Sequence, residues 1–343
     1  MLNCRAVLFS ISWDNFWPAF IPALIATLKV FAIGTAGYFL VLRNWINPQG
    51  LQALGQLVAL LTLPCLIFYR FATKFDPQVF PDWWKFALIG AGITIFSLLL
   101  GKLVAWRHQN EEATMLVGFQ NAGFFVLPML QALLPAQEYQ RASLLLFVLI
   151  IPFNASLWLA GSILLLKSRS FDLKMLFTPP FVATLGSLIL FGIFHDWIHQ
   201  WDKSLLMQVL FGDLQPNGTP GAMQQIGDLT VPLATLSLGG SIAINLRGRM
   251  EYKRAAVEVS VMRLVVAPLV GLFIIPYLQR WLGHSDRVVW LLLMLQFASP
   301  PAIALAVFAQ QHNYTMRLIP AASLLSYILC LLTVPFFVAL APQ

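Results

Sequence analysis

From residue 17 to residue 341 the chain alternates long apolar runs with short polar breaks. Ten runs can be measured against a bilayer: 17–42, 50–70, 83–106, 112–134, 141–166, 177–197, 221–246, 254–278, 286–310 and 315–341. A helix needs about 20 apolar residues to cross the hydrocarbon core. The runs are continuous and lack period-two alternation, so helices are expected and barrel strands are not. The predicted fold class is an all-α polytopic membrane protein with ten transmembrane helices. Two runs depart from the pattern. GFQNAGFFVLPML (118–130) in span 4 and LLMLQFASPPAIALAVF (292–308) in span 9 carry amides and prolines where apolar side chains are expected.

Composition agrees with the pattern. The chain has 343 residues, of which 59% are hydrophobic and 10% charged. Soluble domains carry roughly 25% charged residues, so a lipid environment is implied. The N-terminal MLNCRAVLFSISWDN has no small-residue cleavage site, and a cleaved signal peptide is not expected. Cys4, Cys65 and Cys330 are scattered and frame no disulfide or metal cluster. A net charge of +7 without a basic, aromatic-interleaved stripe gives no reason to expect nucleic acid. The two loops richest in Lys and Arg follow spans 5 and 7, which puts both inside and both termini outside.

Ten spans divide as five plus five around KSRSFDLK (167–174). Faint echoes link the halves: LGQL (54–57) with IGDL (226–229), LIIPF (149–153) with LTVPF (332–336), and the broken span 4 with the broken span 9. Five spans is an odd number, so the second half must sit inverted relative to the first. The expected organisation is a first repeat over 1–166, an inner linker at 167–176 and a second repeat over 177–343. HDWIHQWDKSLLMQVLFGDLQPNGTPG (195–221) is a long outer connection in which LLMQVLF can form a short interfacial helix.

A proline within a helix removes one backbone bond and clashes with the carbonyl four residues back, at about 3 kcal/mol or more. In lipid such a break survives only where protein or a wet cavity satisfies the freed groups. Matched breaks in two halves point to a transporter's midplane site. That makes Gln120, Asn121, Gly123, Pro128, Gln296, Ser299, Pro300 and Pro301 the candidate substrate-binding crossover. Lys29, near the middle of span 1, is a candidate coupling or charge-pair residue, with Asp228 and Glu258 as partners by depth. Asp228 reads equally as a coupling carboxylate or a solvated helix start, and Asn154 as a cavity or helix-packing residue. Glu258 and Arg263, five apart near Arg254, read as a surface-facing ion network. Enzyme signatures such as GxSxG or HExxH are missing, His195 and His199 lack a third ligand, and no catalytic residue, metal or cofactor is expected.

NAGFFVLP in span 4, TPPFVATLGSLIL (178–190), IGDLTVPLATLSLGGSI (226–242) and ASPPAIALAVFAQQHN (298–313) resemble the auxin efflux carrier family, in order and spacing, over nearly the whole chain. The resemblance is to its shorter, prokaryotic-type members, because the long inner hydrophilic loop of the plant exporters is missing. It implies a ten-span inverted repeat in which spans 4 and 9 cross beside the cargo. Spans 1, 2, 6 and 7 would form a scaffold with a homodimer contact, and spans 3–5 and 8–10 a moving unit. The implied function is a secondary transporter (permease) for a small organic anion, a carboxylate, coupled to a proton or sodium or to neither, in a plasma (inner) membrane. Two rivals are a sodium-coupled carrier of the bile acid symporter type and a membrane sensor built on a transporter fold.

Overall fold

The computed structural model describes residues 13–78, 81–167, 177–193, 204–212, 219–246, 252–312 and 314–341. Most of the expected 167–176 linker, the histidines at 195 and 199 and the first twelve residues lie outside them. The described residues form helices and two isolated bridges, without a named strand. In chain order they are α1 (Trp13–Leu42), α2 (Pro48–Lys74), α3 (Trp83–His108), α4 (Glu111–Gly118), α5 (Val126–Leu133), α6 (Ala136–Leu149) and α7 (Ile151–Leu164). They continue as α8 (Pro179–Ile193), α9 (Leu205–Phe211), α10 (Ala222–Asp228), α11 (Thr230–Leu246), α12 (Lys253–Leu282), α13 (Arg287–Ala298), α14 (Ala304–Gln311) and α15 (Ile319–Ala339). Among the described residues six stretches are long and apolar enough to cross a membrane, and α6 with α7, bent by 40°, makes a seventh if the pair is one span. Span 4 corresponds to the half-helices α4 and α5, and span 9 to α13 and α14. The short outer helix expected at LLMQVLF is α9, with Ser204 as its N-cap.

Local sequence sets the helix ends. Asn47 caps α2 through its side-chain oxygen, with Pro48 in the first turn, where its missing N–H costs nothing. Asn110 caps α4 and Asp286 caps α13 in the same way. Prolines also explain two interior irregularities. α2 contains a π turn at Val58–Thr62 and α12 one at Met262–Val266. Each lies just before a proline, Pro64 and Pro268, whose ring would press on the carbonyl of Leu60 or Leu264. Widening the turn relieves that clash and swings the following side chains around the axis.

Because lipid gives apolar helices no preference for one another, close backbone approach holds them together. Where α1 crosses α11, a Cβ on Gly239 would lie 1.7 Å from the Gly34 carbonyl oxygen, and one on Gly37 would lie 2.0 Å from that of Leu236. Where α3 meets α6, a Cβ on Gly90 would lie 1.9 Å from the Leu149 oxygen. α1, α2, α3 and α15 turn leucines and isoleucines outward, among them Leu60, Ile95, Leu99 and Leu332. In contrast, every residue of α13 from Val288 to Ala298 is buried, as is α4 from Glu112 onward. The broken segments are therefore the centre of the molecule.

Candidate functional site

Residues 119–121, after α4, and 300–302, after α13, lie antiparallel, with Gln120 opposite Pro301, and 122–125 then turn into α5. Asn121 N–H donates to the Pro300 carbonyl at 2.7 Å, and Ala302 N–H donates to the Phe119 carbonyl at 2.9 Å. Each break thus supplies partners that the other lost, which is how backbone polarity is tolerated at this depth. Pro300 and Pro301 suit the role, since a proline has no N–H to leave unpaired yet keeps its carbonyl.

Side chains complete the crossing. Gln120 Nε2 donates to Gln296 Oε1 at 3.1 Å, and Gln296 Nε2 lies 3.4 Å from the Ala122 carbonyl. Asn121 Nδ2 donates to the Tyr327 hydroxyl at 2.8 Å, which in turn donates to the Pro301 carbonyl at 2.9 Å. The Ser299 hydroxyl donates to the Leu295 carbonyl. All five side chains are buried, and Gln120 Oε1 has no hydrogen-bond partner among the described residues. Pro128 is buried in the first turn of α5. Gly123, by contrast, is partly accessible, with nothing within 4 Å of where a Cβ would stand. Phe124, Ile303 and Ala304 beside it are also partly accessible. The accessible side of the crossing is therefore the side on which α5 and α14 begin.

The structure gathers the eight crossover candidates in one place but does not bring Lys29, Asp228 and Asn154 to them. Lys29 lies on the exposed face of α1 and forms no ion pair among the described residues. Neither expected partner reaches it. Glu258 instead meets His108 at 2.9 Å and Arg107 at 4.0 Å, near the end of α3. Asn154 is partly buried on α7 and joined to the crossing by no side-chain hydrogen bond among the described residues. Its neighbour Phe153 does pack edge-on against Phe119, with ring centres 5.5 Å apart. Asp228 is exposed near the end of α10.

Arg263 corrects the sequence reading. Expected in a surface network with Glu258, it is 0% exposed and shares no ion pair with Glu258. The π turn ahead of Pro268 carries it inward, and Nε donates to the Ser299 carbonyl at 2.8 Å. Nη2 donates to the Gln296 carbonyl. Nη1 faces Ser97 Oγ at 3.3 Å and the Val117 carbonyl at 3.5 Å.

Three further residues escaped the sequence reading. Tyr327 bridges both broken segments as described. Glu112, 1% exposed in the first turn of α4, accepts from the backbone N–H groups of Arg317, Leu318 and Ile319 at 3.0, 2.7 and 2.8 Å. It caps the start of α15 and places a carboxylate at the positive end of that helix. The phenol of Tyr314, in the connection before α15, is pushed up to about 12, first by burial and then by the Glu112 charge. Arg70, the last residue of the run read at 50–70, is 5% exposed on α2. Its guanidinium carbon sits 5.6 Å and 5.3 Å from the ring centres of Tyr69 and Tyr139. An arginine late in an apolar run is the only sequence signal that could have marked it.

An all-helical membrane protein with two broken helices paired at its centre has the build of a membrane carrier. Comparison with known proteins agrees. A family described as membrane transport protein matches residues 22–187 and 163–338. The chain belongs to that family, and it is of the auxin efflux carrier type, a group of transporters and not of enzymes. Protein PIN-LIKES 2 of Arabidopsis thaliana is 26% identical over 170 residues, 49% of this chain and 35% of that protein. Protein PIN-LIKES 7 of the same plant is 32% identical over 143 residues, 40% of this chain and 33% of that protein. The chain thus spans about a third of the length of these relatives.

Proposed function

We propose that this protein is a secondary carrier that moves a small organic anion across the membrane by alternating access at the crossing. The observation that carries the reading is the reciprocal backbone pairing of 119–122 with 299–302 inside an integral membrane protein of a transport family. Two half-helices, α5 and α14, begin on the accessible side of that pairing, and helix N-termini favour negative charge. Gln120 Oε1, buried and without a partner among the described residues, adds an acceptor for a hydroxyl or N–H on the cargo. Asn121, Gln296 and Ser299 set the polar lining, while Gly123 keeps the approach open.

The ten-span, five-plus-five inverted plan is part of this proposal. Two ties support it by their mirrored order. The carboxylate opening the first broken span, Glu112, holds the start of span 10, while the carboxylate opening the second, Asp286, holds Arg141 of span 5 at 2.9 Å. Both ties join spans 3–5 to spans 8–10, so that unit would move as one body against a scaffold of spans 1, 2, 6 and 7. The outward face of α1, which carries Lys29 among isoleucines, is where we place the contact of a homodimer. The protein would lie in a plasma (inner) membrane with both termini outside.

The test is counterflow in reconstituted vesicles over a panel of labelled organic acids at two pH values, with wild type and Asn121→Ala. The variant is expected to accumulate normally and lose transport. Wild-type flux through it would overturn the midplane assignment.

A further inference from the structure

Arg263 is a full positive charge enclosed at the middle of a membrane protein, with no carboxylate paired to it among the described residues. A charge at the bilayer centre costs at least about 2.5–3.5 kcal/mol and needs a specific compensation. Its compensation here is backbone. The Gln296 and Ser299 carbonyls end α13, and the Val117 carbonyl ends α4. Each helix C-terminus carries about half a negative charge, so two converging ends present about one. A single guanidinium balances that charge. Three carbonyl oxygens and the Ser97 hydroxyl are also a hard, all-oxygen donor set of the kind that binds alkali cations.

We propose that Arg263 is a tethered cation: its guanidinium permanently fills a carbonyl site, between the two half-helix C-termini, that would otherwise take an exchangeable sodium ion. The proposal rests on the carrier reading above and deepens it by naming the cation held at the crossing. Arg263 is a positioning residue. It touches no cargo, but it holds the ends of α4 and α13 together so that the paired strands beyond them keep their register. The cycle then needs no sodium at the crossing, because the countercharge travels with the protein. The π turn before Pro268 is the device that delivers it, since it reorients Arg263 toward the interior.

The whole chain, purified in lipid nanodiscs, is compared as wild type, Arg263→Lys and Arg263→Ala in choline, sodium and millimolar guanidinium chloride. Thermal stability and, in vesicles, flux are read. Wild type is expected to be equally stable in sodium and choline. Arg263→Ala should have a lower midpoint that sodium or guanidinium raises, and at least a tenfold loss of flux that guanidinium partly restores. Arg263→Lys should keep most of the wild-type stability and remain insensitive to sodium. Sodium-dependent stabilisation of the wild type would overturn the proposal. So would an Arg263→Ala protein that is as stable as wild type, or one that is weakened but answers to neither cation, as an arginine that merely packs would leave behind. If Arg263→Ala does not accumulate, wild type and Arg263→Lys decide, and a sodium response in either refutes it. Should the wild type move no organic acid at all, the carrier reading fails while the stability measurements still judge Arg263.

Discussion

Replacing Tyr327 by Phe tests the crossing with the least disturbance. The ring is 3% exposed and stays in place, so packing is preserved and only the hydroxyl is lost. That hydroxyl accepts from Asn121 at 2.8 Å and donates to the Pro301 carbonyl at 2.9 Å, tying α15 to both broken segments at once. Interhelical hydrogen bonds measured in membranes average about 0.6 kcal/mol each, which sets a floor of about 1.2 kcal/mol for two. A buried donor or acceptor left unpaired costs about 1–3 kcal/mol, which sets the upper range. We expect about 2 kcal/mol, equivalent to roughly a thirtyfold loss in occupancy of the intact crossing. Thermal unfolding in nanodiscs should register the loss, and counterflow should fall with it because Asn121 is released from its orientation. A Tyr327→Phe protein within about 0.5 kcal/mol of wild type and with unchanged flux would refute the account of how the crossing is held.

Two other substitutions separate the remaining forces. Gly239→Ala puts a methyl group 1.7 Å from the Gly34 oxygen, where only backbone displacement makes room; an overpacking cost of about 1–3 kcal/mol or more should appear as loss of monodisperse protein on size exclusion. Glu112→Gln removes the charge facing three N–H groups at the start of α15 and should lower stability by about 2 kcal/mol. Glu111→Gln is the control: it removes the charge from a half-exposed pair with Lys102, while the amide oxygen can still accept from the Thr114 hydroxyl, and it should stay within about 0.5 kcal/mol, so equal effects at the two positions would contradict the capping role.

What the sequence discloses and what it hides divide along a physical line. Runs of apolar residues report the solvent, so α1, α2, α3, α12 and α15 were legible to within about four residues at each end. The breaks at 119–125 and 299–303 were legible too, because proline and amides in oil have few explanations. Partnership was not. Nothing local says that Gln120 faces Gln296, or that a tyrosine 206 positions after Asn121 completes its hydrogen bonding. Arg263 was misread because its neighbour in sequence, Glu258, suggested an ion pair. At 3.6 residues per turn, side chains five apart point about 140° away from each other. The overlooked cue was Pro268, five residues downstream, which opens the turn and changes where the guanidinium goes.

The pairing of Gln120 with Pro301 also has a consequence in time. The two stretches are separated by some 180 residues of chain, and a chain is synthesised at about 5–20 residues per second. For roughly ten to forty seconds the first broken span is therefore in existence while its backbone partner is not. During that interval its freed N–H and carbonyl groups must be sheltered by the insertion machinery, by water at the bilayer edge or by delayed entry into lipid. The feature that makes the finished centre self-sufficient thus makes the half-made protein dependent on its surroundings.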